Sequence, residues 1–182
     1  MLPDGISKIL ISEEEIAQGV QRLANQISLD YSGKELVLVG VLKGAFIFLS
    51  DLAKRINIPV MIDFAVISSY GGATKSSGCV KISKEPDECV SGRHVIIVED
   101  IVDTGLTLKL SNLAGKIRQA GAVDIRICSL LNKPDRRCTD IRPDYTGFDI
   151  PDKFVVGYGL DYNGLYRNLP YIGILEDKFY SK

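Results

Sequence analysis

At 182 residues, with 46% hydrophobic and 25% charged residues, the chain is long enough to bury one good-sized core and needs no second domain to do so. A formal net charge of −1 gives it no general electrostatic pull towards nucleic acid or an anionic membrane. No apolar run approaches the ~20 residues of a membrane span, and residues 1–12 lack the basic start and long apolar stretch of a signal peptide, which sets the expectation of a cytoplasmic protein.

The four cysteines, Cys79, Cys89, Cys128 and Cys138, form no CxxC pair and read as reduced thiols, not as a zinc site. His94 is the only histidine. With no second imidazole, metal-hydrolase and histidine-relay chemistries are weakly supported, and His94 reads as structural.

Ser12-Glu13-Glu14-Glu15 is a capping box, and the helix it opens puts Ile16, Val20, Leu23 and Ile27 on one face. Leu36 to Leu42 is a continuous apolar run, read as a buried strand. It ends at Lys43-Gly44, before a helix with Ala45, Leu49, Leu52 and Ile56 inward. Lys43-Gly44 is either a plain strand–helix loop or an anion site, where glycine lets backbone approach a ligand and the helix start offers N–H groups.

Val60 to Ser68 reads as a strand, followed by the small, polar tract of residues 69–78 with its one tyrosine, Tyr70. That tract is an idle hairpin loop or an active-site lid. Cys79 to Ser83 returns as a strand, and Lys84 to Arg93 is turn-rich.

The most informative stretch is Val95-Ile96-Ile97-Val98-Glu99-Asp100-Ile101-Val102-Asp103-Thr104-Gly105-Leu106-Thr107. A buried strand runs into two carboxylates, and a small-residue loop then opens a helix with the stripe Leu106, Leu110, Leu113, Ile117, stopped by Gly121. Such a loop and first helical turn present unpaired N–H groups to an anion. The carboxylates look wrong for a phosphate alone. They make sense if they hold ribose hydroxyls or Mg²⁺ of the same ligand. The stretch therefore asks for a ribose 5′-phosphate and a metal.

Val123 to Leu131 makes another strand, ending at Asn132-Lys133-Pro134; the Arg136-Arg137 pair beyond it reads as a solvated face. Phe154 to Tyr162 is a strand ending in a glycine turn and an acid, Asp161, with Arg167 following. Leu169 to Leu175 is a last strand, and residues 176–182 form a polar tail. Strands alternating with helices imply an α/β fold, a mostly parallel sheet with helices on both faces. The chemical segments fall at strand carboxyl ends, where such sheets bind ligands.

The Val95–Thr107 run resembles the phosphoribosyl-diphosphate signature of type I phosphoribosyltransferases. Three other stretches resemble the hypoxanthine-guanine members. Val41-Leu42-Lys43-Gly44-Ala45 is similar to their pyrophosphate loop, in which the Leu-Lys peptide is often cis. Leu131-Asn132-Lys133-Pro134 and Ile150-Pro151-Asp152-Lys153-Phe154-Val155-Val156-Gly157-Tyr158 are similar to their purine pocket. The likeness runs from residue 8 to 175.

It implies a type I phosphoribosyltransferase fold in one domain, 1–182, with a small hood from the N- and C-terminal segments, purine-binding around 150–175. By the same likeness Lys43, Gly44 and Arg167 meet pyrophosphate, and Ser69-Tyr70 of the lid close on it. Glu99 and Asp100 hold ribose hydroxyls and Mg²⁺, and Asp161 lies near a second metal and the C2 side of the base. Thr104, Gly105, Leu106 and Thr107 bind the 5′-phosphate, with Asp103 as general base. Lys133 faces the purine O6, Phe154 stacks on the base and the Val155 backbone pairs with its edge. The implied activity is purine salvage: phosphoribosyl diphosphate and hypoxanthine or guanine give IMP or GMP and pyrophosphate, in a homodimer or homotetramer. The alternatives are a xanthine-preferring relative and an RNA-binding regulator that kept the motif. The second needs a basic face, which the charge balance does not offer.

Overall fold

The structure, a computed structural model, describes residues 2–69, 80–84, 88–103, 107–134 and 142–180. In chain order the elements are β1 (Ile6–Ile11), α1 (Glu13–Asp30), β2 (Leu36–Leu42), α2 (Phe46–Arg55), β3 (Val60–Ser69), β4 (Val80–Lys84), β5 (His94–Val102), α3 (Thr107–Gln119), β6 (Asp124–Asn132), β7 (Tyr145–Asp149), β8 (Val155–Val156) and β9 (Ile172–Leu175).

The main sheet has the order β4-β3-β2-β5-β6-β7. β4 is antiparallel to β3, and every other neighbouring pair is parallel. Parallel strands joined by crossover helices have both faces covered, so their inward residues run without a polar alternation. β2 and β5 show this directly. Leu36, Leu38, Ile96 and Val98 face one core with Ile16, Val20, Leu23 and Ile27 of α1 and Phe48, Leu49 and Leu52 of α2. Val37, Val39, Val95 and Ile97 face the other core with Leu110, Leu113 and Ile117 of α3.

The helix ends follow their local chemistry. The Glu15 backbone N–H donates to Ser12 Oγ at 3.2 Å and the Ser12 N–H donates to Glu15 Oε2 at 2.7 Å, closing the capping box. After α3, Gly121 adopts φ +92°, a conformation open to glycine at no cost. Among the described residues no helix is long and apolar enough to cross a membrane. Cys89 and Cys128 form no disulfide.

A second, antiparallel sheet, β1-β9-β8, forms the hood. Its small core is Ile6, Val156 and Leu175, with Phe154, Tyr162, Tyr166, Phe179 and Tyr180 packed around it. Several boundaries differ from the sequence reading. β1 is an extra strand; register shifts between Ile6 and Lys8 and between Ile9 and Ile11 break its alternation. β7 is also extra. β8 is two residues long, β9 starts only at Ile172, and the tail that reads as polar supplies aromatics to the hood. The strand expected to end at Val98 continues to Val102, so both carboxylates lie on β5 itself.

Candidate active site

β2 ends at the loop of Lys43 and Gly44, and the Leu42–Lys43 peptide is cis. Beside it, Asp100 continues the β5 face of Ile96 and Val98, towards the α1/α2 layer. The two segments touch: a Cβ built on Gly44 would lie 1.7 Å from Asp100 Oδ2. On its other side the Gly44 carbonyl meets Gly159, where a Cβ would lie 2.1 Å from it and φ is +102°. Only glycine fits at either position. The β2–α2 loop is thus held between β5 and the turn after β8.

Burial dominates the electrostatics at Asp100. It is 8% exposed, and its pKa is pushed up to about 6 by desolvation. The Ile101 N–H, donating at 2.8 Å, the neighbouring Glu99 carboxyl and the charge of Arg167 pull it the other way without prevailing. Glu99 is also buried, and Asp103 follows the end of β5, half-buried.

Asp161 and Arg167 form an ion pair at 2.5 Å within the glycine turn. Arg167 also donates to the Gly159 carbonyl, and Asp161 Oδ2 accepts from the Gly164 N–H at 2.7 Å. The Tyr158 hydroxyl donates to Asp51 Oδ2 at 2.7 Å, tying this turn to α2. Among the described residues no three His, Cys, Asp or Glu side chains converge as a metal cage. Mg²⁺ does not require one: it takes one or two protein carboxylates and completes its shell with substrate oxygens and water. A desolvated pair such as Glu99 and Asp100 fits that pattern, because a cation offsets their buried charge. Asp161 is engaged by Arg167, whose charge also acts on Asp100.

The third component lies where β6 ends. Lys133 is 8% exposed, and its Nζ donates to the Lys153 carbonyl at 2.7 Å with Asp152 at 3.7 Å. Phe154 and Val155 follow immediately. A buried ammonium with three donors is therefore anchored on the backbone carbonyl that directly precedes Phe154 and Val155 in the chain.

A family model described as "Phosphoribosyl transferase domain" matches residues 8–163. The hypoxanthine-guanine phosphoribosyltransferase of Streptococcus agalactiae serotype V is 50% identical over 182 residues, 100% of each chain. The chain belongs to the hypoxanthine-guanine phosphoribosyltransferase family. The Streptococcus pneumoniae enzyme of the same name is 47% identical over 181 residues, covering 100% of this chain and 99% of that one. A crystal structure of a hypoxanthine phosphoribosyltransferase from Staphylococcus aureus matches with TM-score 0.91 at 45% identity, covering 98% of this chain and 96% of that chain.

Within this phosphoribosyltransferase, the residues expected at the site fall into three groups. Lys43, Gly44, Glu99, Asp100, Asp103, Lys133, Phe154, Val155, Asp161 and Arg167 all lie at the carboxyl end of the parallel sheet or in the hood segment. Ser69 closes β3 and Thr107 opens α3. Tyr70 and most of the lid tract, with Thr104, Gly105 and Leu106, lie outside the described residues, as do Arg136 and Arg137. His94 stands at the other end of β5, its ring edge-on to Tyr31 at 5.6 Å, consistent with a structural role. Sequence reasoning missed Gly159 and Asp152. Both lie in stretches that the sequence marks, but their contacts are not legible there, because their partners, Gly44 and Lys133, are distant in the chain.

Proposed function

We propose that the chain transfers 5-phosphoribose from phosphoribosyl diphosphate to a 6-oxopurine, hypoxanthine or guanine, releasing pyrophosphate and forming IMP or GMP. The observation that carries this reading is Lys133: a buried ammonium, anchored on the Lys153 carbonyl next to Phe154. It suits a purine O6, with Phe154 stacking on the ring and the Val155 backbone pairing with N1.

The N9 lone pair of the purine attacks C1′ of the ribose. The C1′–O bond breaks, and its electron pair leaves with pyrophosphate. The proton that the base must lose passes to the Asp103 carboxylate, which follows β5 three residues after Asp100. Glu99 and Asp100 hold the ribose hydroxyls and would bind Mg²⁺, which when present neutralises charge on pyrophosphate. Lys43 and the Gly44 backbone take the pyrophosphate together with Arg167. The Thr104 to Thr107 run, of which Thr107 opens α3, takes the 5′-phosphate, and Ser69-Tyr70 cover the pyrophosphate from the lid. Asp161 acts near a second metal and at the C2 side of the base.

The experiment is a coupled pyrophosphate-release assay with phosphoribosyl diphosphate, Mg²⁺ and a panel of bases. Turnover with hypoxanthine and guanine, absent without Mg²⁺, is the expected result. Binding of RNA with no turnover of any base would refute the reading.

A further inference from the structure

The hood contains an aromatic contact that the proposed reaction does not use. Tyr180 lies face-on to Phe154, ring centroids 4.9 Å apart and planes at 25°. Tyr162 meets the same ring edge-on, at 5.7 Å and 90°. Both arrangements are favourable for aromatic quadrupoles.

Tyr180 is held from several directions. It follows a short 3-10 turn, Asp177–Phe179, and its hydroxyl donates to Asp177 Oδ1 at 2.5 Å. The turn is in turn fastened to the hood. The Tyr162 hydroxyl donates to the Phe179 carbonyl, and the Glu176 N–H donates to Gly5 O at 2.9 Å. The Phe179 ring packs on Gly5, where a Cβ would meet it at 3.0 Å. Both the N-terminal strand and the purine segment therefore aim this tyrosine at Phe154.

We infer that Tyr180 is a positioning residue for the purine: it backs the Phe154 ring so that the opposite face is presented to the base. The inference rests on the assignment of Phe154 as the stacking residue. Tyr180 covers one of the two faces of the Phe154 ring and Tyr162 packs against the same ring in a T-shaped contact; the base is placed on the face opposite Tyr180. A ring fixed before binding spares the base the cost of ordering it. Phe154 touches the base in the ground and transition states alike, so the effect falls on base KM and not on kcat.

The test is steady-state kinetics on Tyr180→Ala, Tyr180→Phe and Phe154→Leu. Tyr180→Ala should raise the hypoxanthine KM about 3- to 10-fold, the worth of one aromatic contact. Its kcat at saturating base and its phosphoribosyl diphosphate KM should stay within about 2-fold. Tyr180→Phe keeps the ring and should restore wild-type base KM. Phe154→Leu should raise base KM at least as far as Tyr180→Ala. If Phe154→Leu raises base KM and Tyr180→Ala leaves it unchanged or lowers it, the inference about Tyr180 falls and the base assignment stands. If Phe154→Leu leaves base KM unchanged, both fall. A Tyr180→Ala enzyme with both substrate KM values raised together has a structural defect only, and that result also overturns the inference.

Discussion

Gly44 lies against the Asp100 carboxylate with no room between them for a methyl group: a Cβ at residue 44 would sit 1.7 Å from Oδ2 and 2.4 Å from Cγ. The anion loop after β2 and the acid on β5 are therefore one unit. A change in either moves the other, and the Gly159 turn backs both.

Gly44→Ala must push Asp100 aside or lift the loop. Overpacking of this kind costs about 1–3 kcal/mol, which thermal unfolding of the variant would show. Phosphoribosyl diphosphate affinity should fall by more than base affinity, because the displaced groups face the sugar and pyrophosphate. A variant with unchanged melting temperature and unchanged phosphoribosyl diphosphate affinity would contradict the coupling.

Asp100 should make stability pH-dependent in a definite direction. Its pKa is raised to about 6 by burial, so the folded protein keeps a proton that the unfolded chain releases near pH 4. This group's contribution is fully present at low pH and is lost as pH rises to 6 and beyond. Asp100→Asn removes the buried charge. At pH 8 the variant should be more stable than the parent, by on the order of 2–3 kcal/mol, and the difference should shrink below pH 6 and vanish by about pH 4. The same proton competes with a cation, so Mg²⁺-dependent substrate binding by the parent should weaken below about pH 6. Denaturant titrations across pH check the first claim; a flat difference between the two proteins refutes it.

Much of this architecture is legible in the residue pattern, for a physical reason. β2 and β5 are covered on both faces, so they read as unbroken apolar runs, and the Ser12–Glu15 box is a local device closed within four residues. What is hidden depends on contacts across the chain. β1 loses its alternation to two register shifts. β7 is short and contains Gly147, whose Cβ would lie 2.4 Å from the Leu130 carbonyl, so close strand packing has replaced a side chain. Two acids in a row suggest the end of a strand, yet β5 continues through them, paired with β6 as far as Val102, and Gly44 leaves the space that Asp100 fills. Tyr180, one of two rings in an otherwise polar tail, has no periodicity to announce its contact with Phe154.

Lys133→Ala removes the donor expected at O6 and strands the Lys153 carbonyl that Lys133 holds at 2.7 Å. A hydrogen bond to a buried charged group is worth about 1.5–3 kcal/mol. The kcat/KM for hypoxanthine should therefore fall by about 10- to 100-fold, with phosphoribosyl diphosphate affinity nearly unchanged. Equal losses for both substrates would place Lys133 outside the base pocket.

Asp103→Asn should keep the fold and most substrate affinity. A single proton transfer contributes about 10²–10⁴-fold, so kcat should drop by that factor when measured in pre-steady-state single turnovers. A single-turnover rate close to the parent's means that Asp103 is not the base.

The central claim is that Lys133 and the Val155 backbone read a 6-oxopurine. Hypoxanthine offers an acceptor at O6 and a donor at N1; adenine reverses both, leaving two buried groups unpaired at about 1–3 kcal/mol each. The direct measurement is the ratio of kcat/KM for hypoxanthine and adenine on the unmodified protein, followed by pyrophosphate release. The expected preference for hypoxanthine is about 10⁴, and it should shrink by at least about 10-fold in Lys133→Ala. Adenine turning over as well as hypoxanthine would contradict it.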